Sequence, residues 1–279
     1  PQSFTIMDRD DAKALMSAAI DEAGIDTKAS RFPKPDLVCD ILSMSLSTGL
    51  SLGQVMEERY SYFDTLTDEI AQAHTAYPKR KVTNGVMDFD DLLNLWLRLL
   101  RENKEVRESF QARFQFILVD EYQDTNKPQF MLIKYLAGSH HQVCVVGDDD
   151  QSIYGWRGAD IRNILDFEKT FKNCEVFKLE KNYRSSGHIL QAASAVVKNN
   201  EDRAPKELIA NNKLGEKLGL IETHDEMEEA DAVVNALEKE IKLEKRNFSD
   251  FSILYRTNSQ SRSLEDAFRR SGIPYNIVG

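Results

Sequence analysis

Cysteine is scarce in this sequence, and the three present, Cys39, Cys144 and Cys174, are an odd number without C-x-x-C spacing. That argues against a disulfide framework or a cysteine-built zinc site and fits a reducing, cytoplasmic compartment. Long apolar runs are also missing. A membrane-spanning helix needs about 18 or more consecutive apolar residues, and stretches such as Phe116–Val119 fall far short, so no membrane association is expected. Pro1–Asp11 lacks the basic and then apolar pattern of a signal peptide. Positive charge is in deficit: 36 Lys and Arg against 46 Asp and Glu leave a net charge of −10. That speaks against coating nucleic acid by bulk electrostatics and does not exclude a narrow basic groove. Finally, none of the 13 glycines is followed by Lys, so the chain has no G-x-x-x-x-G-K-[ST] loop to cradle phosphates.

What remains is 279 residues, 41% of them hydrophobic, enough for about two domains with their own cores. Up to about Arg113 the apolar residues recur at helical spacing, in Ala12–Ala23, Leu37–Leu46 and Phe89–Leu100, with Pro33 and Pro35 breaking the chain between the first two. From Phe114 the pattern changes. Short apolar runs at Phe114–Val119, Gln142–Val146 and Glu175–Leu179 alternate with helical stretches at Lys127–Ala137 and Asp160–Phe171. Such alternation predicts βαβ units and a parallel sheet, and nearly all-apolar strands predict a sheet covered on both faces. Lys198–Gly219 reads as a linker or long loop. Beyond it a strand at Leu218–Glu222, a helix at Asp225–Leu243, a strand at Phe251–Tyr255 and a helix at Ser259–Ser271 form a second α/β unit, with a further apolar run at Ile273–Val278. The expected class is α/β with an N-terminal all-helical subdomain. The non-Met start and the end just after an apolar run suggest a piece of a longer protein.

Three motifs carry chemistry. In Phe116-Ile117-Leu118-Val119-Asp120-Glu121-Tyr122-Gln123-Asp124 an apolar strand delivers carboxylates at its C-terminal end, where α/β sheets bind ligands. In nucleotide hydrolases the first such carboxylate holds Mg²⁺ and its neighbour acts on the attacking water; the plainer reading is an acidic turn capping the next helix. In Gly147-Asp148-Asp149-Asp150-Gln151-Ser152-Ile153-Tyr154-Gly155-Trp156-Arg157-Gly158 a turn precedes an amide, two aromatics and an Arg, suited to phosphate sensing and base stacking. The plainer reading has Trp156 plugging an interface. In Leu179-Glu180-Lys181-Asn182-Tyr183-Arg184-Ser185-Ser186 the Arg suits a γ-phosphate, or else a surface ion pair.

In this order, the three resemble the UvrD/Rep/PcrA family of superfamily 1 DNA helicases, closest in pattern to Rep. Asp88-Phe89-Asp90-Asp91-Leu92-Leu93 upstream, and Leu254–Arg262 with Ile273-Pro274-Tyr275 downstream, support the resemblance. It implies RecA-like parallel sheets flanked by helices. Residues 1–113 would be the end of a helical 1B-like insertion returning into the first RecA-like domain, 114–180 the later part of that domain, and 181–279 the start of the second. It further implies that Asp120 holds Mg²⁺, Glu121 is the catalytic base, Gln151 senses the γ-phosphate, Arg184 is an arginine finger and Tyr183 stacks on adenine. Tyr154 and Trp156 would line pockets for single-stranded bases, and Arg256 and Asn258 would contact the DNA backbone. Arg157 and Asp124 equally suit holding their loops together. The implied parent unwinds DNA with 3′→5′ polarity, takes ATP and Mg²⁺, and acts on single-stranded DNA and its junctions with duplex. This chain alone, without a phosphate loop, is expected to bind ATP weakly, hydrolyse it negligibly and self-associate through uncovered apolar surface.

Two other classes fit parts of the pattern. A nuclease would gather two ions with Asp120, Glu121, Asp124 and Asp148 but has no need of Gln151, Tyr183 or Arg184. A non-catalytic binding module would keep only the scaffold. His140-His141 does not suit a shared ion, Trp96 reads as core, Lys79-Arg80-Lys81 as a solvated triplet that can touch phosphates, and Glu226–Asp231 as the outer face of a helix.

Overall fold

A computed structural model describes residues 3–28, 31–139 and 142–278. The chain divides into two compact units, Pro1–Glu180 with Ser194–Glu207, and Lys181–Ala193 with Leu208–Gly279.

The first unit opens with β1 (Thr5–Ile6), α1 (Arg9–Glu22), α2 (Pro35–Thr48), α3 (Leu52–Arg59) and α4 (Thr67–Asn84). The ends of these helices are written in the sequence. Asp8 caps α1 by accepting from the Asp11 amide, Ser51 and Gln54 form a capping box on α3, and Gly49 and Gly85 close α2 and α4 in the left-handed conformation. Their apolar faces meet in one core built on Met16, Ile20, Val38, Ile41, Val55, Met56 and Ile70. The region is not wholly helical as expected, because β2 (Val86–Met87) pairs in parallel with β1.

An ion cluster is buried at the turn into α5 (Phe89–Glu102). Lys81 Nζ lies 2.8 Å from Asp88 and 2.7 Å from Asp91, and the Tyr77 hydroxyl donates to Asp88. Lys81 is therefore not part of a solvated triplet; its side chain is only 7% exposed. Charge pairing makes such burial tolerable. Trp96 packs its ring against Phe110 of α6 (Lys104–Arg113).

After α6 come β3 (Ile117–Val119), α7 (Lys127–Ala137) and β4 (Val143–Val145). β3 and β4 pair in parallel, Ile117 with Val143 and Val119 with Val145. Ile117, Val119, Val143 and Val145 turn inward onto Tyr122, Ile133, Ala137 and Phe171. The other face is not covered, contrary to expectation: Phe116 and Leu118 are 73% and 78% exposed. The expected helix at Asp160–Phe171 is two short turns, α8 (Arg162–Leu165) and α9 (Phe167–Thr170), interrupted at Asp166, whose backbone leaves the helical region.

The second unit holds β5 (Lys181–Asn182), which pairs in parallel with β6 (Ile209–Ala210). α10 (Gly187–Val197) starts in this unit and ends in the first. α11 (Glu226–Glu244) and α12 (Ser261–Arg270) pack around Ala230, Val234, Leu237, Phe268 and Ile273. The runs expected as strands at Glu175–Leu179, Leu218–Glu222 and Phe251–Tyr255, and the apolar run at Ile273–Val278, form no ladder among the described residues. A strand is stable only beside a partner that takes its hydrogen bonds. The alternation survives at Phe251 and Ile253, which pack on the α11–α12 core while Leu254 faces outward.

Candidate functional site

The parallel register of β3 and β4 brings their C-terminal ends together: Val146 N donates to Val119 O at 2.8 Å, and Tyr122 N to Val146 O at 3.0 Å. Asp120 and Glu121 leave the sheet at that point. Asp120 is exposed, and its Oδ1 accepts from the Glu121 amide at 2.9 Å. Glu121 has φ +51°, ψ 42°, a left-handed conformation uncommon for a residue with a Cβ. A tight turn, Tyr122–Asp124, follows. Tyr122 is fully buried, edge-on to Phe167, and burial pushes its phenol up to about 12.

Gln123 occupies the centre of the site. Only 1% exposed, it donates from Nε2 to Glu121 Oε2 at 2.8 Å, and its Oε1 accepts from the Asp148 amide at 3.0 Å. Gly147 makes this approach possible, because a Cβ there would lie 2.6 Å from Gln123 Oε1 and 2.8 Å from Ile164 Cδ1. Asp148 caps the next turn, Asp149–Gln151, and its Oδ2 accepts from Gln151 Nε2 at 2.7 Å. Glu121 and Gln151, 30 residues apart in sequence, are thus joined through Gln123 and Asp148. Asp124 lies on the same amide at 3.4 Å. Burial first, and then the Glu121 charge, raise its pKa above the usual carboxylate value.

The acidic triplet Asp148–Asp150 has counter-charges from a segment that reads as a linker. Arg203 donates two hydrogen bonds to Asp150, from Nε at 3.0 Å and Nη2 at 2.8 Å. Lys206 Nζ contacts Asp148, lies 2.7 Å from Asp149 and 3.1 Å from Asp150, and Ala204 N donates to Asp149. Burial works to raise the pKa values of Asp148 and Asp150, but hydrogen bonds from Lys206, Gln151 and Arg203 outweigh it and hold both below the usual range. Sequence reasoning passed over Gln123, Arg203 and Lys206. The usable signal was the triplet itself, since three adjacent aspartates at a strand end need cations close by.

Beyond Gln151, Tyr154 and Trp156 are both exposed, with ring centroids 6.4 Å apart. The Arg157 guanidinium stacks 4.5 Å from the Trp156 ring. Two contacts fix the loop: Arg59 donates to Gly155 O at 3.3 Å, and Gly158 (φ +85°) sits where a Cβ would lie 2.6 Å from Ser47 Cβ.

The second unit carries the remaining residues. Tyr183 and Arg184 follow β5 and are exposed; Asn182 Oδ1 accepts from the Arg184 and Ser185 amides, and Asn212 donates to Tyr183 O. Gln260 Oε1 accepts from the Arg256 and Thr257 amides, and Asn258 opens the turn leading into α12. Asp120, Glu121, Gln151, Tyr154 and Trp156 therefore share the first unit, while Tyr183, Arg184, Arg256 and Asn258 belong to the second.

Among the described residues no group of three or more His, Cys, Asp or Glu is arranged to hold a metal ion, and His140-His141 lies outside those residues. No helix among them is long and apolar enough to cross a membrane.

A strand end with paired carboxylates, hydrogen-bonded to a loop that bears an amide and two exposed aromatics, agrees with the comparisons. The UvrD/REP helicase N-terminal domain matches residues 1–172 and the UvrD-like helicase C-terminal domain matches residues 177–279, so the chain belongs to the UvrD/Rep helicase family. Among named relatives, the ATP-dependent DNA helicase PcrA of Staphylococcus aureus is 41% identical over 278 residues, as is that of Staphylococcus epidermidis. In both alignments 100% of this chain corresponds to 37% of the relative, so the chain spans little more than a third of their length.

Proposed function

We propose that this chain is the central part of a cytoplasmic ATP-dependent DNA helicase that translocates 3′→5′ on single-stranded DNA and opens duplex at junctions during replication or repair. In this reading 1–113 is the end of a 1B-like insertion with its return into the first RecA-like domain, 114–180 the later part of that domain, and 181–279 the beginning of the second. The observation that carries the reading is the hydrogen-bonded path from Glu121 through Gln123 and Asp148 to Gln151. A hydrolytic carboxylate and a phosphate-sensing amide must move together if hydrolysis is to drive a cycle.

In the proposed reaction a water attacks the γ-phosphorus of ATP as the bond to the ADP oxygen breaks, and Glu121 takes the water's proton. Gln123 turns one oxygen of Glu121, leaving the other for that water. Asp120, a single exposed carboxylate, suits Mg²⁺, an ion that keeps most of its water and phosphate ligands; bound there, Mg²⁺ would neutralise phosphate charge. Gln151 meets the γ-phosphate, Arg184 supplies the arginine finger, and Tyr183 stacks on adenine. Tyr154 and Trp156 offer faces on which bases stack as they step, and Arg256 and Asn258 hold the DNA backbone. With no Gly-Lys phosphate loop in its sequence, the chain alone should bind ATP weakly.

The test is DNA-stimulated ATP hydrolysis, comparing this chain with the full-length protein that contains it. Turnover is expected only from the full-length protein, with Glu121→Gln lowering kcat by about 10²–10⁴-fold. Absence of turnover in both forms would reduce the reading to DNA binding.

A further inference from the structure

The charges on the acidic triplet are held by a strap with an unusual course. Residues 194–207 belong to the first unit, although the chain on either side, 181–193 and 208 onward, belongs to the second. The strap is fastened at several points: Lys178 Nζ donates to Pro205 O at 2.6 Å, Glu207 N to Glu180 Oε1 at 3.1 Å, and Ala204 N to Asp149 Oδ2 at 2.8 Å. Two of its cations, Arg203 and Lys206, divide the work. Arg203 makes a two-pronged pair with Asp150 alone. Lys206, with its side chain 16% exposed, places one ammonium on all three aspartates, including the Asp148 carboxylate whose other oxygen receives Gln151.

We propose that Lys206 is a positioning residue for Gln151, acting through Asp148, so that the strap sets how far the γ-phosphate sensor stands from the sheet. Asp148 accepts from Gln151 Nε2 on Oδ2 and meets Lys206 on Oδ1, while its own amide is held by Gln123. With the ammonium gone, only Arg203, on Asp150, is left against three carboxylates; Asp148 is repelled from its neighbours, and the Gln151 amide moves with it. The point charge matters as well as its sign. A guanidinium is a planar fork suited to one carboxylate, whereas an ammonium serves several at once.

This inference rests on the motor reading, and the experiment separates the two. In the full-length protein, DNA-stimulated ATP hydrolysis is measured for wild type, Lys206→Gln, Gln151→Ala and the double variant. Lys206→Gln is expected to lower kcat by about 10–100-fold, the scale of a small misplacement in a reacting site, with the KM for ATP unchanged. In the Gln151→Ala background the same change should have no further effect, since residues acting through one group are not additive. Arg203→Gln should cost less than Lys206→Gln. Multiplicative losses in the double variant overturn the inference and leave the motor reading intact. An inactive wild type overturns both. If Lys206→Gln does not fold, Lys206→Arg decides: a partial loss of kcat that disappears in the Gln151→Ala background supports the positioning role, and wild-type kinetics refute it.

Discussion

Gln123 Nε2 stands 2.8 Å from Oε2 of Glu121, and the Oε1 of the same amide stands 3.0 Å from the Asp148 amide nitrogen. A neutral side chain with one donor end and one acceptor end thereby ties the end of one strand to the loop after its neighbour. Gln123 itself is buried, while the Glu121 it holds is exposed. Any displacement of the Asp148 loop is transmitted to the orientation of the Glu121 carboxylate.

Replacing Gln123 with Leu keeps the volume and removes both bonds. The partly buried Asp148 amide is then left without its partner, so the unfolding free energy should fall by about 1–3 kcal/mol. Urea denaturation of this chain measures the stability loss. An unchanged midpoint would show that the bridge contributes nothing to the fold.

Trp156 should contribute to single-stranded DNA binding through stacking. Trp156→Ala is expected to weaken affinity by about 1–3 kcal/mol, with little dependence on base sequence. Fluorescence anisotropy on homopolymeric oligonucleotides tests this, and Trp96→Phe, which leaves Trp156 as the sole indole, allows the stacking to be followed by its own emission. Equal affinity of wild type and Trp156→Ala would remove the ring from the interface.

Lys81 neutralises two carboxylates beneath α4, and nothing about its position recommends it for DNA. Lys81→Met strands Asp88 and Asp91, and should destabilise the chain by about 3–5 kcal/mol. Thermal and urea unfolding read the loss. Weakened DNA affinity with unchanged stability would reverse the assignment and restore the solvated triplet.

The strap predicts a pH effect of definite sign. Asp148 and Asp150 have pKa values below the ordinary 3.8, so their stabilisation is complete above that value and is lost as pH falls through the lower, folded values. Lys206→Gln removes a main cause of the depression. The drop in urea midpoint on acidification below 3.8 should therefore be shallower in the variant than in wild type. Parallel drops would mean that the ion cluster stores no pH-dependent stability.

The uncovered face of the β3–β4 sheet presents Phe116 and Leu118 to solvent, and a two-stranded sheet also has open edges. Both features invite pairing with another copy. Sedimentation velocity of this chain should show concentration-dependent association that Leu118→Lys suppresses. A single monomeric species across the whole range would count against it.

The helices were legible because each carries its own signals. α7 runs from Lys127 to Ala137 as the periodicity predicts, with Asn126 and Gln129 forming its capping box. The strand ends at Asp120 and Asp148 were legible for the same local reason, an apolar run stopping at carboxylates. Pairing is not local. Nothing in Glu175–Leu179 or Leu218–Glu222 says whether a neighbouring strand is present, and both lack a ladder here. The contacts of Arg203 and Lys206 reach back more than 50 positions to the aspartates, and a polar stretch rich in Asn and Lys gives no hint of that reach. Gln123 was hidden by its neighbours: among five polar or aromatic residues in a row, which two are buried, Tyr122 and Gln123, is decided by the fold of the turn.

The course of the strap has a consequence for synthesis. As the chain leaves the ribosome, the three aspartates emerge more than 50 residues ahead of the cations that neutralise them, and a domain generally folds as soon as its sequence is available. The first unit cannot finish in that way. Its last pieces arrive only after part of the second unit has been made, so a polypeptide ending at Glu180 would hold a nascent site with uncompensated negative charge, and completion of the two units is interleaved in time.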